Sequence, residues 1–131
     1  MKEKRVAADI MTSPVISAKR DTLLIEAIRL LLRWNVSGLP VVDENDELVG
    51  IITEYDVLKF SFSGYAKDTT VDKAMTTKVV SFPMDADIET LISCFASTRV
   101  RRVPIVENDK VIGLVSRRDI LRELEKVYSK Y

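Results

Sequence analysis

Histidine and glutamine are absent from this chain, and cysteine occurs once. Without an imidazole there is no His-dependent triad, no His-ligated zinc and no imidazole acid–base chemistry. The lone Cys94 stands beside Phe95 in an amphipathic stretch and reads as packing rather than as a nucleophile. Glycine and proline are scarce, four of each, and no Gly-x-x-x-x-Gly-Lys run exists to cradle a phosphate. A charge surplus is missing too. Lys and Arg total 20 and so do Asp and Glu, which removes the net field that drives non-specific nucleic-acid binding. Long apolar runs are absent, since Arg29 and Arg33 interrupt the best of them, far short of a membrane span. The charged start, Met1 to Val6, has no apolar run behind it and does not read as a secretory signal. These absences point to a soluble, cytoplasmic chain.

What is present is ordinary globular composition: 47% hydrophobic and 31% charged residues over 131 positions. That length suits one compact domain or two very small ones, with a core that needs neither disulfide nor metal. An internal repeat organises it. A shift of 64 residues aligns Met11-Thr12 with Met75-Thr76, Ser17 with Ser81, Asp21 with Asp85, Val36 with Val100 and Pro40 with Pro104. After the polar stretch Asp43 to Asp46 the shift becomes 63, aligning Gly50 with Gly113, Thr53 with Ser116, Asp56 with Asp119 and Leu58 with Leu121. A one-residue insertion is cheapest inside a surface turn, so the slip supports a true duplication.

Each copy predicts the order β-α-β-β-α. Val15-Ile16-Ser17 and Val79-Val80-Ser81 are short β-prone runs. A helix then opens at Asp21 or Thr22 in the first copy and at Asp85 or Asp87 in the second, all good capping residues. Two apolar runs around a polar turn predict a hairpin, and a second helix starts at Thr53 or Ser116. Pro40 and Pro104 are expected at the first position of their strands, where a missing N–H is tolerated. Gly50 and Gly113 suggest bulges or close backbone approach. The first long helix carries only a narrow polar stripe, Glu26, Arg29 and Arg33, so more than its own sheet should cover it; Trp34 reads as core or interface. Ile88, Leu91, Ile92, Phe95 and Ala96 share one face of the second copy's helix. A stripe of Ile120, Leu121, Leu124, Val127 and Tyr128 equips the last helix to dock outside its repeat.

The residues Asp9-Ile10-Met11-Thr12, Val36 to Asp43 and Gly50 to Leu58, with Ala74-Met75-Thr76, Val100 to Val106 and Gly113 to Leu121, resemble the CBS motif. Their tandem arrangement resembles a stand-alone CBS pair, often called a Bateman module. The resemblance runs from about Asp9 to Leu124. It implies an α/β (α+β) fold of two repeats packed pseudo-symmetrically through their sheets. On that reading repeat one spans 8–61, a linker 62–71, and repeat two with its C-terminal helix 72–131.

The resemblance further implies two pseudo-equivalent ligand sites in a cleft between the copies. One would combine Ile51, Thr53 and Asp56 with Val79, Val80, Val100, Arg101 and Arg102. The other would combine Leu114, Ser116 and Asp119 with Thr12, Ile16, Val36, Ser37 and Gly38, and Arg118 would add a cation. The chemistry suits an adenosyl ligand. An Asp accepts from both ribose hydroxyls, Thr or Ser with a helix N-terminus holds phosphate, and apolar strand residues sandwich the purine. Arg101, Arg102 and Arg118 concentrate cationic charge on the second copy, so the Thr53–Asp56 site is expected to hold phosphate better. The plainer reading stands beside it: Thr53-x-x-Asp56 and Ser116-x-x-Asp119 are good helix caps, worth roughly 1 kcal/mol each. Arg99, Arg101 and Arg102 equally read as a solvated corner at a helix end.

The expected function is regulatory binding of AMP, ADP, ATP or S-adenosylmethionine, with no catalysis, no required cofactor and no metal. The alternative is an interaction module whose pockets have lost their ligand. A homodimer and a separate regulated protein are the expected partners; membrane and nucleic acid are not.

Overall fold

The computed structural model describes residues 4–130. Met1 to Glu3, part of the charged N-terminal stretch, and Tyr131, the last residue of the expected second repeat, lie outside them. The first half of the chain runs α1 (Ala7–Ile10), β1 (Ala18–Lys19), α2 (Leu24–Trp34), β2 (Gly38–Val42), β3 (Leu48–Thr53) and α3 (Glu54–Phe62). A 3₁₀ turn at Val71–Lys73 leads into β4 (Phe82–Pro83), α4 (Ile88–Ser97), β5 (Arg102–Glu107), β6 (Lys110–Ser116) and α5 (Arg117–Tyr128). The expected β-α-β-β-α order therefore occurs twice, each time after a short helical turn. The strands form two three-stranded sheets, ordered β1-β2-β3 and β4-β5-β6, so the fold is mixed α/β.

The compact units interleave the sequence. One comprises 16–79 with 109–111; the other comprises 80–108 and 112–131 together with the N-terminal residues up to Val15. In the first, α2 buries Leu24, Ala27 and Leu31 against Leu39, Val41 and Ile52 of the strands and against Val71. Leu39 and Val41 share a face by strand periodicity, as the positions of α2 do by helical periodicity. In the second, Leu91 and Phe95 of α4 meet Val103, Ile105 and Val115, with Ala7 and Ile120 completing the cluster.

Two expectations fail for one reason. β1 and β4 begin after the β-prone runs rather than within them, and the prolines stand mid-strand rather than first. The parallel register pairs Ala18 with Val41 and Phe82 with Ile105. Continuing it backwards would set Ser17 beside Pro40 and Ser81 beside Pro104. A proline has no amide to give the ladder, so pairing stops one residue short of it. The prolines are tolerated inside β2 and β5 because the neighbouring strand has not yet begun.

Helix starts differ between the copies. Asp87 caps α4 by accepting from the Thr90 amide at 2.8 Å, as expected. Neither Asp21 nor Thr22 caps α2; its N-cap position is Leu23, and the Thr22 hydroxyl instead accepts from the Lys19 amide at 2.9 Å. That bond closes the turn between β1 and α2 and leaves the hydroxyl out of reach of the helix amides.

The slip in the repeat lies in the hairpin turns. Between β2 and β3 the turn spans 43–47, with Asp43 Oδ1 accepting from the Asn45 and Glu47 amides at 2.8 and 3.0 Å. Those bonds hold the Asp43 carboxyl below its usual range. Between β5 and β6 only Asn108 and Asp109 intervene, both at positive φ, 52° and 66°. Two left-handed residues make the tight hairpin turn that Asn and Asp tolerate best.

The helices keep apolar residues in the open. On α2, Leu32 is 76% exposed and Trp34 53%; on α3, Leu58 is 70% and Phe62 96% exposed. α2, expected to be covered on more than its sheet side, is left open among the described residues at Leu32 and Trp34, which excludes Trp34 from the core. Leu121 and Tyr128 of α5 are likewise exposed.

Candidate ligand-binding site

In the first-repeat unit, β3 delivers Thr53 to the N-cap of α3, and Asp56 follows at the third helical position. Thr53 Oγ1 accepts from the Asp56 amide at 3.1 Å, while Asp56 Oδ2 accepts from the Thr53 amide at 3.0 Å and its hydroxyl at 2.9 Å. The reciprocal pattern is a capping box, and it fixes both side chains. The second carboxylate oxygen, Oδ1, accepts from the Thr76 hydroxyl at 2.9 Å. Thr76 is brought there by a two-way backbone pair with Ile51, each bond 2.9 Å. Gly38 pairs with Thr53 across β2 and β3, and the Ser37 carbonyl accepts from the Glu54 amide at 3.0 Å. Ile51, Thr53, Asp56, Ser37 and Gly38 are thereby gathered at one end of the sheet. Ile16, Val36 and Val79 belong to the same unit and are half-buried.

The second-repeat unit reproduces this arrangement. Ser116 caps α5, with Asp119 Oδ2 accepting from the Ser116 amide at 2.8 Å and its hydroxyl at 3.0 Å. Thr12 and Leu114 exchange backbone hydrogen bonds of 2.8 and 3.1 Å, matching Thr76 and Ile51. The Arg101 carbonyl accepts from the Arg117 amide at 3.0 Å, matching Ser37 and Glu54. Here Asp119 Oδ1 meets Arg122 Nη1 at 2.9 Å, where Asp56 meets Thr76. Val80, Val100, Arg101, Arg102 and Arg118 also fall in this unit; Arg101 and Arg118 are exposed, Arg102 half-buried.

The caps use up amides that phosphate recognition would otherwise share. Of the first three in α3, Glu54 donates to Ser37 and Asp56 to Thr53, and the matching pair in α5 is committed alike. The Thr53 and Ser116 hydroxyl protons are likewise committed, to Asp56 and Asp119, and the cap bonds leave out only the amide of each helix's second residue, Tyr55 or Arg118.

Two contributors escaped the sequence reading. Thr76 was visible only as the partner of Thr12 in the repeat. Arg117 braces the segment after α4, its Nε donating to the Val100 carbonyl at 3.0 Å and its Nη2 to Thr98 at 3.4 Å. The signal for it was a charge reversal inside the repeat, Glu54 against Arg117.

The CBS domain family model matches the chain twice, over residues 6–63 and 69–126. The chain belongs to the CBS-domain family. Among relatives of this CBS pair, inosine-5′-monophosphate dehydrogenase of Methanocaldococcus jannaschii is 37% identical over 117 residues, 88% of this chain. The chain spans only 23% of that dehydrogenase. An uncharacterized 17.7 kDa protein of Acidianus ambivalens is 32% identical over 93% of this chain and 74% of its own length. Among solved structures, the CBS domain pair of protein MJ0100 in complex with 5′-methylthioadenosine and S-adenosyl-L-methionine superimposes with a TM-score of 0.85. It is 28% identical and covers 95% of this chain and 99% of its own. CBSX2 in complex with AMP gives a TM-score of 0.82 at 28% identity, over 94% and 98% of the two chains.

Within the CBS pair, Gly50 and Gly113 are close-approach positions. A Cβ on Gly50 would come within 2.8 Å of both the Met75 sulfur and the Thr76 carbonyl oxygen. At Gly113 it would collide with Met11. Cys94 packs against the second core as a half-buried side chain. Among the described residues, no helix is long and apolar enough to cross a membrane.

Proposed function

We propose that this CBS pair is a cytoplasmic regulatory module that binds an adenosyl ligand, AMP, ADP, ATP or S-adenosylmethionine, and performs no chemistry on it. The observation that carries the reading is the duplicated box of hydroxyl and carboxylate, Thr53 with Asp56 and Ser116 with Asp119, held at matching sheet ends. An Asp already locked by its cap presents a fixed acceptor for vicinal ribose hydroxyls, and fixed groups lose less entropy on binding. Support comes from solved CBS pairs that carry AMP, or 5′-methylthioadenosine with S-adenosyl-L-methionine. The residue sets named from the sequence, led by Thr53 and Asp56 and by Ser116 and Asp119, are the proposed contacts. Arg101, Arg102 and Arg118 are proposed for phosphate, and boundaries of 8–61 and 72–131 are proposed for the two repeats, with 62–71 as the linker.

A homodimer and a separate regulated protein complete the proposal. The exposed Leu32, Leu58 and Phe62 support a second copy as the cover for α2 and α3. The same exposure favours the second reading, an assembly module without ligand.

Calorimetric titration of nucleotide-stripped protein with AMP, ADP, ATP and S-adenosylmethionine separates the two readings. Saturable binding that Asp56→Ala or Asp119→Ala removes supports the sensor. Flat traces for all four ligands leave the assembly module. Equal losses from the two variants would sink the preference of phosphate for the Thr53–Asp56 set.

A further inference from the structure

The two capping carboxylates differ in what holds the oxygen that the cap leaves over. For Asp56 it is the neutral hydroxyl of Thr76, 2.9 Å from Oδ1. For Asp119 it is the guanidinium of Arg122, also at 2.9 Å, an ion pair one helical turn along α5. Thr76, rather than Lys59, the residue that matches Arg122 in the repeat, occupies this place on Asp56.

The consequence is a difference in acceptor strength. A carboxylate oxygen has two lone-pair positions, so one hydroxyl leaves Asp56 its full charge and room for another donor. A guanidinium offsets the charge and donates more strongly than any neutral hydroxyl can. The Arg122 side chain is 64% exposed while that of Asp119 is 14% exposed, so the arginine lies on the solvent side of the carboxylate. A diol approaching Asp119 has to share it with Arg122 or displace that side chain into water.

We propose that Arg122 is a specificity-determining residue that weakens the hold of Asp119 on a neutral vicinal diol, while Thr76 positions Asp56 as the stronger diol acceptor. The proposal rests on the adenosyl-binding reading above. It assigns the inequality of the two sites to α5 itself, independently of the arginines at 101 and 102.

The test uses adenosine, which carries the diol and no charge. It is titrated into the full chain carrying Asp56→Asn, so that only the Asp119 site reports, with and without Arg122→Gln or Arg122→Lys. Arg122→Gln is expected to tighten adenosine about two- to five-fold, the strength of an exposed ion pair, and Arg122→Lys to tighten it less. Raising salt from about 0.02 to about 0.5 M should strengthen adenosine binding when Arg122 is present, because the pair is screened, and should do nothing after Arg122→Gln. A merely structural arginine would not give that salt response. Unchanged adenosine affinity and salt response in Arg122→Gln, in protein whose binding Asp119→Asn abolishes, overturns the role of Arg122 and leaves the adenosyl reading standing. Absence of binding by adenosine and AMP to the unaltered chain overturns both.

Discussion

Met11 fills the space that a side chain on Gly113 would need, and Met75 stands in the same relation to Gly50. Each methionine belongs to the segment that leads into a repeat, and each glycine to the hairpin strand before the capped helix. The contact locks that segment beside the strand, next to the backbone pairs Thr12–Leu114 and Thr76–Ile51. Gly113→Ala and Gly50→Ala are expected to destabilise the fold by about 1–3 kcal/mol each through overpacking, read as a lower urea midpoint. Met11→Ala combined with Gly113→Ala should cost less than the two changes summed, because the smaller side chain relieves the clash. Strict additivity would show that the contact is not what the glycine protects.

The caps carry a prediction that separates structure from binding. Thr53→Ala and Ser116→Ala each remove a side-chain acceptor from a helix N-terminus, at about 1 kcal/mol of stability. If the hydroxyls also hold ligand, AMP affinity measured by calorimetry falls at temperatures where both variants remain folded. A loss of stability with affinity untouched would reduce these residues to caps.

Acid should weaken the second-repeat unit through Asp87. Its carboxyl is lowered to about 2, first by the Thr90 hydroxyl, then by the Thr90 amide and by Lys4. The folded value lies below the ordinary one, so the stabilisation is complete above about pH 4 and is lost as pH falls through 2. Urea midpoints between pH 5 and pH 2 should fall more steeply for the unaltered chain than for Asp87→Asn. Parallel slopes would remove Asp87 from the account. The ion pair of Lys4 with Asp87, at 3.0 Å, weakens over the same range.

Oligomeric state tests the exposed helix face. Leu58 and Phe62 lie one turn apart on α3 and are 70% and 96% exposed, a large apolar surface to leave in water. Leu58→Glu with Phe62→Glu is expected to halve the mass measured by light scattering and to leave the circular dichroism unchanged. A monomeric unaltered chain, or a dimer indifferent to these changes, would move the interface elsewhere.

The sequence by itself determined whatever depends on short range. The duplication, the β-α-β-β-α order and the boxes at Thr53–Asp56 and Ser116–Asp119 were legible because a cap spans three residues and a strand or helix face repeats every two to four. Asp87 was legible for the same reason. The apolar excess of α2 was visible in composition, but the extra cover expected for it is not supplied among the described residues, where Leu32 and Trp34 stay exposed. Tertiary structure decided the rest. It ended β1 and β4 against Pro40 and Pro104, because only the parallel register reveals which residue faces a missing amide. It set Thr76 on Asp56 from 20 residues away, and Arg117 on the Val100 carbonyl from 17. Neither separation matches a helical or strand period, so no pattern along the chain announces such a contact. The inequality of Asp56 and Asp119 is divided between sequence and fold: Arg122 stands three residues beyond Asp119 along α5, a helical spacing readable in the sequence, whereas only folding brings the Thr76 hydroxyl to Asp56.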